Sequence, residues 1–316
     1  MKYKVLITIA MLAASLSLTS CWEDDVPPVL PPVEDDGGDT PTDVTPTFTL
    51  NYGENHFDYT GYEPCKDKPV EIWSYIPVGG DVKKMPVLMV FPGESLDADM
   101  HIRLWEQLAN DKKIMLFGFA FKSASNTTEY TTGGIRIGGK NIDVAESWSF
   151  NCVEQFFKEL RALTGNENTT YDMWGHSAGG QFVHRFVTFM PEASIGKAVA
   201  ANPGWYTMPT DDFGYDFPHS IKGINCINWA EALPKLFGRK MYVQLGLDDT
   251  DRSGLNTAEG SEKQGQNRLE RGRYYFEQSK QKAKKLGCPF LWEKTEVPGV
   301  GHNAMGMQAA AAKVLY

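Results

Sequence analysis

The sequence predicts an α/β fold, a doubly wound and mostly parallel sheet with helices on both faces. Three observations carry that expectation. From about residue 86 onward, β-prone apolar runs alternate with segments of helical periodicity. The run at 86–91 is apolar throughout, as a strand covered on both faces must be. The stretch 171–180 then reads as a strand, a tight turn and the start of a helix, with Gly175-His176-Ser177-Ala178-Gly179 in the turn.

In chain order, residues 48–52 and 70–76 read as strands of an antiparallel opening. The strand 86–91 ends in Pro92-Gly93-Glu94-Ser95. A helix over 98–110, a strand over 114–119 and a helix over 151–163 follow. The Gly-rich stretch 131–140 between them reads as a hairpin or loop over one end. After the turn at Ser177 comes an amphipathic helix, about 178–190, with Phe182, Val183, Phe186 and Phe189 at helical spacing. Strands at 197–201, 240–245 and 291–297 alternate with helices at 229–236 and 267–286, and a last helix follows His302. No internal repeat and no second domain are visible.

The ends of the chain differ in kind from its body. Residues 1–20 hold Lys2, Lys4 and then an apolar run too short to span a membrane comfortably, which is the pattern of an export signal. Leu18-Thr19-Ser20-Cys21 resembles a bacterial lipobox. That resemblance implies cleavage before Cys21, a lipid on its thiol and anchorage to the outer membrane. Glu23, Asp24 and Asp25 resemble a surface-export signal of some Gram-negative lipoproteins. Residues 21–46 are Pro-rich and acidic and cannot bury enough apolar surface to offset their ordering entropy, so they read as a tether. The folded domain is expected over 47–316. The formal net charge of −9 belongs largely to the tether, whose eight acids and absent Lys and Arg leave the body near −3. No basic cluster points to nucleic acid.

The chemistry is concentrated at strand ends. A serine hydroxyl is a weak nucleophile and must stand clear of its own backbone to meet a base and a carbonyl together. G-x-S-x-G on a strand–turn–helix is the nucleophile elbow that presents it so, in a strained backbone conformation. Gly175 and Gly179 remove side chains that would collide across the turn, and Gly180 adds room. The following helix aims its N–H groups where negative charge would develop. Downstream, the strand 240–245 ends in Gly246-Leu247-Asp248-Asp249-Thr250-Asp251. The strand 291–297 ends in Pro298-Gly299-Val300-Gly301-His302-Asn303. An acid and a histidine beyond strand C-termini are where such a sheet presents its site.

Of the six histidines, only His302 stands just past a strand end and downstream of the acids. His176 lies inside the elbow, pointing away from Ser177 by turn geometry, and His184 on the elbow helix reads as packed or surface. His56, His101 and His219 are upstream of the acid or in loops without a strand end. Asp248, Asp249 and Asp251 all compete for the acid.

Over residues 47–316 the chain resembles the α/β-hydrolase fold family, and within it serine esterases with a G-H-S-A-G elbow, a G-x-x-D acid turn and a V-P-G-x-G-H turn. The resemblance implies Ser177 as nucleophile, Asp249 as acid and His302 as base. It also implies an oxyanion hole from the backbone N–H groups of Ala178 and of Glu94 or Ser95. Many relatives carry His-Gly where this chain has Pro92-Gly93, which leaves the choice between Glu94 and Ser95 open. No cofactor is implied. The expected activity is carboxylic-ester hydrolysis through an acyl-enzyme, with a carbohydrate ester of plant polysaccharide (methyl, acetyl or feruloyl) as the substrate. A lipase, polyester hydrolase or peptidase, and a non-catalytic glycan-binding lipoprotein, are the alternatives.

Three further features are weighed. Trp205 and Tyr206, following the strand after the elbow helix, are candidate sugar-stacking residues at the rim. Residues 249–254 superficially match the start of an EF-hand loop, but position twelve is Gly260 where a bidentate Glu is needed, so no metal is expected. Cys65, Cys152, Cys226 and Cys288 allow three pairings or four free thiols.

Overall fold

The structure is a computed structural model that describes Leu30 and residues 44–316. The expected export signal, Cys21 and nearly all of the expected 21–46 tether lie outside the described residues. The strands are β1 (Gly53–Tyr59), β2 (Val70–Ile76), β3 (Val87–Phe91), β4 (Met115–Ala120), β5 (Arg136–Ile137), β6 (Lys140–Asn141), β7 (Tyr171–His176), β8 (Ile195–Ala201), β9 (Lys240–Gly246) and β10 (Glu293–Val297). The helices are α1 (Ala98–Lys112), α2 (Thr127–Thr131), α3 (Asn151–Thr164), α4 (Ala178–Phe189), α5 (Trp229–Phe237), α6 (Glu259–Glu262), α7 (Arg268–Leu286) and α8 (Ala304–Leu315).

Eight strands form one sheet in the order β1-β2-β4-β3-β7-β8-β9-β10, and β5-β6 is a separate hairpin. Within the large sheet only β2 runs antiparallel to its neighbours. From β3 the chain crosses to β4 on one side and later returns to β7 on the other. The loops leaving β3 and β7 therefore diverge, and the crevice between them is where an open α/β sheet binds its ligands.

Strand alternation divides the core in two. Leu88 and Val90 of β3 face Ile102, Trp105 and Ala109 of α1 and Met307, Ala311 and Leu315 of α8. Val87, Met89 and Phe91 face the other way, into a larger cluster with residues of α3, α4, α5 and α7. Helix ends follow the local chemistry. Asn267 and Asn303 accept the third backbone N–H of α7 and α8 at 2.9 and 2.8 Å. Helix α3 ends on Gly165 in the left-handed region, φ +66°.

Three local expectations change. The first strand is Gly53–Tyr59, not 48–52. Its alternating outward polar residues (Glu54, His56, Asp58) mask it in a hydropathy reading, while Phe48 and Leu50 are buried from an extended lead-in. Phe48 stacks on Phe57 and Phe156 at 5.0 and 4.8 Å. Helix α4 is buried on every side, so Gln181, His184, Arg185 and Thr188 are inside along with its apolar residues. The short helices α2 and α6 lack the length for a periodic signal.

Candidate active site

The elbow forms because its glycines permit it. A Cβ on Gly179 would lie 1.9 Å from the Phe91 carbonyl oxygen, and one on Gly175 would lie 2.2 Å from that of Gly179. A Cβ on Gly180 would meet the Ala201 carbonyl oxygen at 2.6 Å. Strand β3, β7, β8 and helix α4 thus meet at van der Waals limits that only glycine satisfies. Ser177 sits between them at φ +58°, ψ −115°. That conformation costs a non-glycine residue on the order of 1–3 kcal/mol. The Ser177 N–H donates to Ala201 O at 2.9 Å, and its carbonyl accepts from Gln181 N at 3.0 Å.

The turns after β9 and β10 converge on this serine. His302 Nε2 lies 2.9 Å from Ser177 Oγ, and His302 Nδ1 lies 2.8 Å from Asp249 Oδ2. Asp249 is 1% exposed, so its charge faces protein rather than water. Its other oxygen accepts from Arg268 Nη1 of α7 at 3.5 Å. Asp248 donates its N–H to Val300 O, tying the acid turn to the histidine turn. Asp251 is turned outward, and its carboxylate accepts from Ser253.

Asn202, which sequence reasoning passed over, latches the two turns. It follows β8 at φ +45° and is buried. Its Oδ1 accepts from Gly246 N at 2.8 Å, and its Nδ2 donates to Gly301 O at 3.1 Å. Gly246 itself must be glycine, since a Cβ there would come within 2.4 Å of Val300 O. The only sequence signal for Asn202 is an amide at a strand's C-terminal end, beside the elbow.

The loop after β3 closes the other side. A Cβ on Gly93 would lie 3.8 Å from Ser177 Cβ, so this loop lies against the serine. Tyr130 of α2 donates its hydroxyl to Pro92 O at 3.0 Å and fixes the loop. Among the described residues the N–H groups of Glu94 and Ser95 make no backbone hydrogen bond. Ala178 is the first residue of α4, where no helical carbonyl is available to its N–H. Glu94, Ser95, Ser177 and His302 line one cleft of about 550 Å³. Met100 and Met305, 46% and 64% exposed, stand at its mouth with Leu104.

The remaining histidines find other partners. His176 is buried with its ring 4.7 Å from that of His302. Burial, then the neighbouring His302, His101 and Arg268, hold it well below the ordinary histidine range and keep it neutral. His101 is on α1, as the helix expected over 98–110 implies; it lines the cleft, and its Nδ1 lies 3.0 Å from Asp97 O. His184 accepts from Thr207 N at 3.1 Å, which leaves its Nδ1 to donate to Gly180 O. His219 is lowered to about 4, by burial and then by Arg185, Arg136 and Arg271. His56 lies outside, stacked on Trp73.

Trp205 and Tyr206 are not rim platforms. They are 7% and 0% exposed, and neither lines the serine cleft. The cause is Arg185 of α4, a fully buried cation that has Thr207 Oγ1, Thr131 O and Gln181 Oε1 as acceptors. Burial lowers its guanidinium to about 9. The Trp205 ring covers it at 4.3 Å and meets His219 on the way. Tyr206 stacks on Tyr275 at 4.4 Å, and its peptide is clamped by the Gln264 amide.

No protein-family model and no curated protein sequence matches the chain. Solved structures do. Poly(aspartic acid) hydrolase-1 of Sphingomonas sp. KT-1 is 31% identical, with a TM-score of 0.77 over 84% of this chain and 99% of that one. The poly(3-hydroxybutyrate) depolymerase LpqC of Bordetella parapertussis is 28% identical, with a TM-score of 0.79 over 84% of this chain and 90% of that one. S-formylglutathione hydrolase of Staphylococcus aureus shares the fold at 13% identity, with a TM-score of 0.52 over 83% of this chain and 97% of that one. The chain belongs to the α/β-hydrolase family of serine esterases and depolymerases, and is itself a serine hydrolase.

Proposed function

We propose that this chain hydrolyses carboxylic esters through an acyl-enzyme, with Ser177 as nucleophile, His302 as base and Asp249 as acid. The observation that carries this reading is the continuous hydrogen-bonded line from Ser177 Oγ through His302 to the buried Asp249 carboxylate. His302 Nε2 takes the hydroxyl proton as Ser177 Oγ adds to the ester carbonyl. The N–H groups of Ala178 and of Glu94 or Ser95 receive the oxyanion. Collapse of the tetrahedral intermediate expels the alcohol, which takes the proton back from His302. Water, deprotonated by the same imidazole, then adds to the acyl-enzyme and releases the acid and Ser177. Asp249 holds the Nδ1–H tautomer and stabilises the imidazolium throughout.

The substrate we propose is a polymeric ester. The two most similar structures described above carry the names of polymer hydrolases, one of a polyamide and one of an aliphatic polyester. The exposed Met100 and Met305 beside Leu104 favour an aliphatic chain across the cleft. The polysaccharide-ester reading, which rested on the resemblance and the expected export, drew added support from Trp205 and Tyr206 at the rim and loses that part with their burial. We also propose export and anchorage to the outer membrane through a lipid on Cys21. A fluorophosphonate probe tests the catalytic reading: it should label Ser177, and Ser177→Ala should lose both label and turnover, the latter by about 10⁴-fold or more. An unlabelled wild-type protein would instead support a binding scaffold. Aliphatic polyester films assayed beside methylated, acetylated and feruloylated polysaccharides test the substrate class.

A further inference from the structure

A second cavity, of about 240 Å³, shares no lining residue with the serine cleft. Three pieces of chain enclose it: the loop 208–213, Lys263 just after α6, and one face of α7. On α7, Tyr274, Gln278, Gln281 and Lys285 recur at helical spacing and so share that face. The walls are tied together. Lys263 donates from Nζ to Phe213 O at 2.7 Å and lies 4.8 Å from the centre of the Phe213 ring. Lys282 Nζ of α7 is 3.6 Å from Asp211 Oδ1. The inner wall is apolar, with Met208 and Phe213 buried and the Tyr274 ring 6.3 Å from that of Phe213. The cavity is thus shaped by the fold before any ligand arrives.

The groups left over in the lining decide what it can hold. Among the described residues the side chains of Gln278, Gln281 and Lys285 make no hydrogen bond or ion pair. Each amide both donates and accepts, and the Asp212 carboxylate adds a further acceptor. Hydroxyl groups, which also donate and accept, match that set. An aliphatic polyester carries acceptors only and would leave Asp212 and both amide oxygens without donors. Lys263 and Lys282 are engaged within the walls, and Lys285 is a cation with no acid beside it. A carboxylate is the group that an unpaired ammonium takes best. The Tyr274 and Phe213 rings offer an apolar surface against which a saturated ring can lie.

We propose that this cavity binds a carboxylated sugar, one uronate unit of an acidic polysaccharide. Lys285 pairs with its carboxylate, Gln278 and Gln281 hydrogen-bond its hydroxyls, and the wall of Tyr274 and Phe213 covers one side of its ring. The site takes no part in ester cleavage. It keeps the enzyme on acidic glycan whatever ester the serine cleft accepts, so it stands or falls apart from the substrate proposed for Ser177.

The test is calorimetric titration of the full chain with three probes: a soluble oligogalacturonate, a neutral malto-oligosaccharide of the same length, and an oligomer of 3-hydroxybutyrate. The oligogalacturonate should bind, and less tightly as salt rises. Lys285→Glu should weaken that binding by about tenfold or more, and Gln278→Ala by about threefold to tenfold. Lys285→Arg should retain it. Turnover of a p-nitrophenyl ester and the melting temperature should stay at wild-type values in all three variants, which separates this site from the triad. Absence of oligogalacturonate binding overturns the proposal, as does binding that both Lys285→Glu and Gln278→Ala leave unchanged. Equally tight binding of the neutral oligosaccharide overturns the carboxylate assignment, and a 3-hydroxybutyrate oligomer whose binding is lost in the same variants overturns the sugar.

Discussion

Asn202→Ala removes one side chain that touches neither Ser177 nor His302 in its hydrogen bonds, yet it should damage both stability and catalysis. Asn202 Oδ1 accepts the Gly246 N–H in a fully buried setting, so its loss orphans that donor at about 1–3 kcal/mol. The bond from Nδ2 to Gly301 O is partly buried, so water replaces part of it and the loss is about 0.5–1 kcal/mol. The backbone at φ +45° suits Asn and penalises Ala by about another 1 kcal/mol. Together these set the expected destabilisation at about 2.5–5 kcal/mol. The same latch positions the acid turn against the histidine turn, and a displacement of His302 by about 1 Å costs on the order of 10²-fold in turnover. Denaturant unfolding followed by circular dichroism gives the first number from the midpoint at constant slope. Saturating kinetics on a p-nitrophenyl ester give the second. Asn202→Gly should recover only the backbone part, about 1 kcal/mol, and little activity. An Asn202→Ala protein within about 1 kcal/mol of wild type, with turnover changed less than about threefold, would refute the latch.

Three further outcomes are expected. Asp249→Asn should lower kcat by roughly 10³–10⁴-fold because the amide favours the wrong imidazole tautomer, whereas Asp251→Asn, whose carboxylate faces Ser253, should change it little; a reversed ranking in steady-state kinetics sinks the assignment of the acid. Trp205→Ala should destabilise by about 3–5 kcal/mol and uncover Arg185, while KM moves equally for a polymer and for a small ester; a selective KM increase on the polymer would restore the rim reading. Cys21→Ala should leave the membrane fraction with the activity of the purified enzyme unchanged, and retention after a high-salt wash would exclude the lipid anchor.

Much of the scaffold was readable because its strands are continuous apolar runs. Residues 86–91 and 114–119 allow no other buried reading, and the observed strands differ from them by a residue or two. The meeting of Ser177, Asp249 and His302 was readable for a related reason: each stands just past a strand of one parallel sheet, and parallel strands end on the same side. What stayed hidden depended on partners remote in sequence. Asn202 acts on backbone groups 44 and 99 residues away, and no residue type marks those partners in advance. Trp205 looks the same in sequence whether it meets a sugar or a guanidinium, and only burial of Arg185 on a helix with no exposed side decides it. The first strand was misplaced because its outward residues are polar and its inward ones are spaced by two.

The position of His302, two residues before α8, gives the enzyme two thresholds of failure. Helix α8 covers its face of the sheet through Met307, Ala311 and Leu315, and its last turn is clasped by Lys197, which donates to the Val314 and Leu315 carbonyls. Breaking those attachments leaves every strand pairing of the sheet in place. Local opening of one covering helix requires less free energy than global unfolding. Heat or mild denaturant would then free the imidazole from Ser177 while the ellipticity of the sheet is still native, and inactivation would run ahead of melting. The working lifetime of the catalyst would then be set at the edge of the molecule, by α8 and its attachments, rather than by the aromatic interior.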